Sequence, residues 1–301
     1  MIGRRLRTYA AAVAVALALT ACGSGDGSGG TGGRAGEEAA TDRQLDHRPD
    51  GTPSAEPSRS AAAPGPSYSD WELGAEPLPL RPDGLGVMRA TPQELEERRF
   101  PTRDLLPPPA DGRFHSSIGP VTPAIRQRMG RTWSPACPVG LAELRYLTVS
   151  FRGFDGDAHT GELVVAATEA SDVVSVFAAL FAADFPIEEM RLPTTADLDA
   201  HPTGDGNNTA GLVCRATTGG SSWSAHAYGL ALDINPFNNP YQRGDVVLPE
   251  LASSYLDRSW QRPGMIQPDS VAVREFARIG WSWGGAWSSL KDYQHFTATG
   301  R

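Results

Sequence analysis

Histidine is scarce in this chain, six in 301 residues, and two of the six stand close to carboxylates. His226 lies in Ser224-Ala-His-Ala-Tyr-Gly-Leu-Ala-Leu-Asp233, and His295 closes Asp292-Tyr-Gln-His. The two imidazoles and Asp233 make three ligands, the set that leaves one position of a tetrahedral zinc ion open for chemistry. Asp292, three residues from a ligand, is a second carboxylate able to handle a proton without binding the metal. Together they are the equipment of metal-assisted hydrolysis. A lone histidine in a strand is usually a packed or surface residue, so the two segments carry weight only jointly. Arg215 offers a permanent planar cation for an oxyanion or a substrate carboxylate. Ser224 is suited to hydrogen-bond a ligand or the substrate backbone.

These residues need elements to position them. A strict strand from His226 to Asp233 would put the two on opposite faces, because their spacing is odd. Gly229 can supply a turn that resets the alternation. Leu230, Leu232 and Ile234 then share the core face, and Ala231 and Asp233 the other. Leu212 to Ala216 reads as a strand delivering Arg215, with Gly219-Gly220-Ser221 as a flexible connection. Asp269-Ser270 caps a helix from Val271 to Ile279. The run from Gly280 to Trp287 is aromatic and Gly-rich and leads to Asp292. Its tryptophans, with Trp223 and Tyr228, read as core residues, with one or two left to line a cleft.

Upstream, Pro123 to Trp133 reads as a short helix, and the alternation from Leu141 to Phe151 as a strand. The Gly153–Gly156 turn and Gly161 to Val165 return it as a hairpin. A helix runs from Ser171 to about Phe185, with Val174, Phe177, Ala178 and Phe181 towards the core, and Pro186 ends it. Ile187 to Leu192 is a short strand. His159 is expected to pack on the hairpin, and Asp155, Asp157, Asp197 and Asp199 to be solvated loop acids.

Composition divides the chain. Residues from about Phe114 to Phe296 are rich in Trp, Phe, Leu and Val, enough for one domain of roughly 180 residues with a sizeable core. The net charge of −8 is mild, only Lys291 is a lysine, and no basic cluster suggests nucleic acid. Residues 1–21 read as a signal peptide, with Arg4, Arg5 and Arg7 before an apolar run from Tyr9 to Leu19. That run is too short to span a bilayer. Residues 22–111 are expected to be a disordered Gly/Pro/Ser/Ala-rich tether. Within it, Thr91-Pro92-Gln93-Glu94 opens a short helix near 92–100, and Trp71, Leu73, Leu78 and Leu80 form a segment able to dock. Residues 112–301 form the domain.

Leu19-Thr20-Ala21-Cys22 resembles the lipobox of bacterial lipoproteins, which implies a lipidated Cys22 and an anchor on the extracytoplasmic face of the cell membrane. Cys137 and Cys214 then remain, an even pair in an oxidising compartment, which favours a disulfide between them.

The pattern Ser224-x-His226-x-x-Gly229-x-Ala231-x-Asp233, followed by Asp292-x-x-His295-Phe296, resembles the D-alanyl-D-alanine carboxypeptidase family of zinc peptidases. That family also holds D-Ala-D-Ala dipeptidases and phage L-alanyl-D-glutamate endopeptidases. The likeness extends from about Phe114 to the end through Asn208-Thr209, Cys214-Arg215, Asn235-Pro236, Asn239-Pro240-Tyr241 and the Trp-Gly-Gly-x-Trp run. The resemblance implies an α+β fold, a small antiparallel sheet with flanking helices, like the hedgehog signalling domain. It implies Zn²⁺ on His226, Asp233 and His295, Asp292 as catalytic carboxylate and Arg215 as its assistant. The implied partner is a peptidoglycan stem peptide, met by a monomer. A D-Ala-D-Ala carboxypeptidase is the leading activity. An L-Ala-D-Glu type endopeptidase, and a non-catalytic wall-binding or sensor module on the same fold, stay open. Asp292 favours an enzyme, since a binder has no need of it.

Overall fold

Leu147, Val149 and Phe151 alternate along Leu144–Arg152, which pairs antiparallel with Ala158–Ala166 in a hairpin of two nine-residue strands in the computed structural model. The structure describes residues 69–300. The expected signal peptide, Cys22 and the tether up to residue 68 lie outside the described residues.

The chain order is α1 (Gln93–Glu96), β1 (Ser116–Pro120), α2 (Pro123–Met129), β2 (Leu144–Arg152), β3 (Ala158–Ala166), α3 (Ala170–Ala182), β4 (Glu189–Met190) and α4 (Thr195–Asp199). Then come β5 (Asn208–Thr209), β6 (Ala231–Asp233), β7 (Tyr241–Arg243), β8 (Val246–Leu248), α5 (Val271–Arg278), β9 (Ser282–Trp283), β10 (Lys291–Asp292) and β11 (His295–Thr297). The result is an α+β arrangement of small sheets. Three are antiparallel, β1-β2-β3, β6-β11-β9 and β10-β7-β8; β4 and β5 make a parallel pair.

The main core lies between the β2–β3 hairpin and α3, and reaches α5 and β11. Val173, Val176, Phe177, Leu180 and Phe181 are the buried stripe of α3, so Phe177 and Phe181 face the core as expected, whereas Val174 and Ala178 are only half-buried. The helix packs on Leu147, Val149 and Phe151, and that surface selects the stripe. Phe276 of α5 stacks on Phe296 of β11 at 4.1 Å. Burying Phe296 contributes roughly 1.5–3 kcal/mol, and strand alternation then turns its neighbour His295 away from that core. On α5, Ser270 accepts from Val273 N, as its cap position requires.

The segment after residue 69 departs from a disordered tether. Leu78 and Leu95 are buried beside Phe237, Leu251 and Tyr255. Arg98 donates twice to Glu188, at 2.7 and 2.6 Å, and both side chains are buried. His159 is held between Asp104 and Asp155, at 2.9 and 3.1 Å, so Asp155 is an ion-pair partner and not a solvated acid. Burial opposes the His159 charge, but the two carboxylates outweigh it and raise its pKa. These anchors are all distant in sequence and have no period, so the composition of the segment hides them. Helix α1 is correspondingly short, and Thr91 leaves it uncapped; its hydroxyl accepts from Ser254 N instead, at 2.8 Å.

Candidate metal centre and active site

Antiparallel pairing of β11 with β6 sets His295 directly opposite Asp233. His226 arrives from the other side. Ala225–Tyr228 is a single 3-10 turn whose first amide bond is capped by Ser224, and Gly229 closes it at φ +68°. A side chain at Gly229 would also meet Ala166 N at 2.5 Å, so only glycine fits this corner. The turn that brings His226 back over Asp233 is therefore built from Ser224 and Gly229 together.

His226 Nδ1 lies 2.7 Å from the Gly211 carbonyl, which fixes Nδ1 as the protonated nitrogen and turns Nε2 inward. Nε2 is 3.2 Å from His295 Nδ1 and 3.2 Å from Asp233 Oδ2, and His295 Nδ1 is 2.9 Å from Asp233 Oδ1. All three ligand atoms fall within 4.8 Å of one another. Bonds of about 2.0–2.1 Å set the ligand atoms of a tetrahedral zinc ion about 3.3 Å apart. Donor types, spacing and the backbone-anchored imidazole all fit that ion. Burial works against the Asp233 charge, but His226 and then His295 hold its carboxyl far below the usual range.

Asp292 sits on β10, opposite Tyr241 of β7, and lines the same cleft of about 320 Å³. Its Oδ1 is buried with no hydrogen-bond partner among the described residues. Gly284 packs against its backbone, where a Cβ would lie 2.6 Å from Asp292 O. Burial pushes the Asp292 carboxyl up to about 7; the Asp233 charge adds to this, while His295, Gln294 and Arg215 oppose it. A carboxyl of that pKa, with one buried and unpartnered oxygen, beside a His/Asp/His cluster can accept and return a proton near neutrality.

Arg215 lines the cleft, exposed, and among the described residues its side chain donates only to Ala216 O, at 3.2 Å. The stretch Leu212 to Ala216 is not the expected strand; Arg215 N turns back to Val213 O at 2.9 Å, and Ala216 makes a single bridge to Trp223. Its hold is covalent. Cys214 is bonded to Cys137, with Cα atoms 5.8 Å apart, and Cys214 N donates to Thr132 O. Ser224 accepts from His226 N at 3.4 Å, so its observed work is to hold the turn under a ligand. Trp281 and Trp283 are core residues, whereas Trp287 lines the cleft with its ring 5.5 Å from that of His295. Tyr241, Arg243 and Leu248 also line it. Tyr241 is part of the family resemblance, but none of the three carries a periodic signal, because β7 and β8 are three residues each and too short for a readable period.

No curated protein and no solved structure matches the chain. The model of a family described as D-alanyl-D-alanine carboxypeptidase matches residues 218–298. That stretch contains the clustered His226, Asp233 and His295 together with Asp292, begins just after Arg215, and supports a peptidase of that family.

Proposed function

We propose that this domain is a zinc-dependent peptidase that hydrolyses peptidoglycan stem peptides, with D-Ala-D-Ala carboxypeptidase activity. The observation that carries the reading is the convergence of His226, Asp233 and His295 in one cleft with the unpartnered Oδ1 of Asp292. Zinc, when bound there, supplies the charge that acidifies water and polarises a peptide carbonyl. Asp292 takes the proton of the attacking water on Oδ1 and returns it to the leaving amine. Arg215 pairs with the developing oxyanion or with the terminal carboxylate of the peptide. His226, locked by Gly211, keeps one tautomer throughout. Trp287 and Leu248 exclude water from one side of the cleft.

The reading includes a lipid anchor at Cys22, supported by Leu19-Thr20-Ala21-Cys22 after an apolar run. Cys22→Ser should leave the protein unprocessed or move it out of the membrane fraction, and unchanged retention speaks against the anchor. The activity is tested by digesting purified muropeptides with the zinc-loaded protein and weighing the products. Loss of one terminal alanine is the expected result. Release of a longer fragment would make it an endopeptidase. Full zinc occupancy with no hydrolysis of any stem peptide would overturn the enzyme reading.

A further inference from the structure

The metal-ligand cleft does not end at Arg215. A second pocket of about 500 Å³ shares Arg215, Thr218, Gly219, Tyr241 and Arg243 with it, so the two spaces adjoin. The outer wall of the second pocket comes from far away in sequence: Asp83 and Leu85, which belong to the segment that precedes the domain's first strand. This wall is a built feature. Leu80 and Gly86 bridge, and Arg81 N donates to Leu85 O at 2.7 Å, which closes a small hairpin. Gly86 N donates to the buried Glu250 at 2.7 Å, and a Cβ there would lie 2.6 Å from the same carboxylate. Arg81 bonds both Asp83 and Asp245, clamping the hairpin to the turn between β7 and β8.

Charge accounting then points to a ligand. Both acids of the pocket, Asp83 and Asp245, are taken by Arg81. Arg215 has only a carbonyl, and the Arg243 side chain has no hydrogen bond or ion pair among the described residues. The adjoining pockets thus present two guanidinium groups with no carboxylate in ion-pair contact among the described residues, beside the apolar surfaces of Leu85, Val246 and Tyr241. That combination suits an anionic group on an otherwise apolar chain, and a guanidinium fork pairs best with a carboxylate.

We propose that this second pocket is a substrate subsite, walled by the Leu80–Gly86 hairpin, in which Arg243 holds a free carboxylate of a peptide residue remote from the scissile bond. The proposal rests on the peptidase reading for what fills the metal-ligand cleft. Arg243 lies within the family match, but the hairpin that walls the subsite lies outside it, in the segment expected to be a tether with a stretch able to dock. Amidation of that carboxylate on the substrate removes the pairing.

The experiment uses the full mature chain and two synthetic stem peptides that differ only in a free or amidated carboxyl away from the cleaved bond. In the zinc-loaded wild type, kcat/KM should favour the free carboxylate by about five- to tenfold, expressed mainly in KM. Arg243→Gln should bring that ratio close to one. Leu85→Asp, which sets a negative charge in the hairpin wall, should lower or invert it. A wild-type ratio near one, or a ratio that survives Arg243→Gln, overturns the subsite. Calorimetric titration of both peptides into the zinc-depleted protein separates the two readings. A carboxylate preference in binding that Arg243→Gln abolishes, in a protein that cleaves neither peptide even when zinc-loaded, upholds the subsite and sinks the peptidase. Equal binding of the two peptides sinks the subsite whatever the activity.

Discussion

Asp292→Asn separates the acid–base role of this residue from its structural one. The substitution keeps the shape of the side chain and removes only its charge. In the structure that charge is costly: Oδ1 is buried without a partner, and burial moves the carboxyl from 3.8 up to about 7. At 1.36 kcal/mol per pKa unit, holding Asp292 ionised in the zinc-depleted protein costs on the order of 4 kcal/mol. Between pH 3.8 and about 7 the folded protein keeps a proton that the unfolded chain has lost, so stability falls as pH rises through that window. An amide at this position has no such dependence. Urea unfolding of the zinc-depleted proteins should therefore show equal stabilities below about pH 4 and a variant a few kcal/mol more stable at pH 8. The zinc-loaded variant should keep its metal and lose at least about a hundredfold in turnover, the lower end of what a general base supplies. Two results would refute the reasoning. Equal stabilities at pH 8 would mean that Asp292 carries no buried charge. Reduced zinc affinity of about 10–100-fold, with activity restored by excess zinc, would mean that it acts only by orienting His295.

Three further outcomes follow from the same geometry. His226→Ala and His295→Ala should each leave little bound zinc by metal analysis, and stoichiometric zinc in both would dismiss the ligand set. Arg98→Ala strands the buried Glu188 and should cost about 3–5 kcal/mol in denaturant unfolding; a loss below about 1 kcal/mol would mean that the segment carrying Arg98 does not belong to the fold. Opening the Cys137–Cys214 bond by a paired Ser substitution releases a loop with a sequence separation of 77 and should cost roughly 4–5 kcal/mol. It should also weaken substrate binding on the Arg215 side, since Cys214 is the adjacent anchor; unchanged stability would show that the bond forms no constraint in the unfolded chain.

The elements with a long period were legible. Alternation over Leu144–Phe151 and the cap at Ser270 each describe what the structure contains. Short elements were not. Strands of two or three residues, such as β7 and β10, have no period, and their pairing depends on partners far along the chain. The same reason hid the packing of residues 71–104. Trp71, Leu78, Arg98 and Asp104 each find a single distant partner, Asp205, a pocket beside Leu251, Glu188 and His159 respectively. No local pattern records four such pairs, whereas their Gly- and Pro-rich surroundings do record a low propensity for regular structure.

The convergence of His226, Asp233 and His295 was legible for a different reason: histidine is rare in the chain, and one backbone constraint links His226 to Asp233. His226 and Asp233 reach one point because Gly229 adopts φ +68° against Ala166, a place closed to any side chain. Replacing Gly229 by alanine would force that corner open and lift His226 away from Asp233, although no ligand has changed. His295 reaches the same point by strand register, and a slip of one residue would put Phe296 opposite Asp233 and His295 into the core. Burial of Phe296 against Phe276 opposes that slip. The candidate metal site is thus held by a glycine turn on one side and an aromatic contact on the other. Arg243 and the Leu80–Gly86 hairpin answer to neither constraint: they stand at the pocket that adjoins the cleft, fixed by Arg81 and Glu250. That separation lets the outer cleft change its charge and shape without disturbing the ligand geometry.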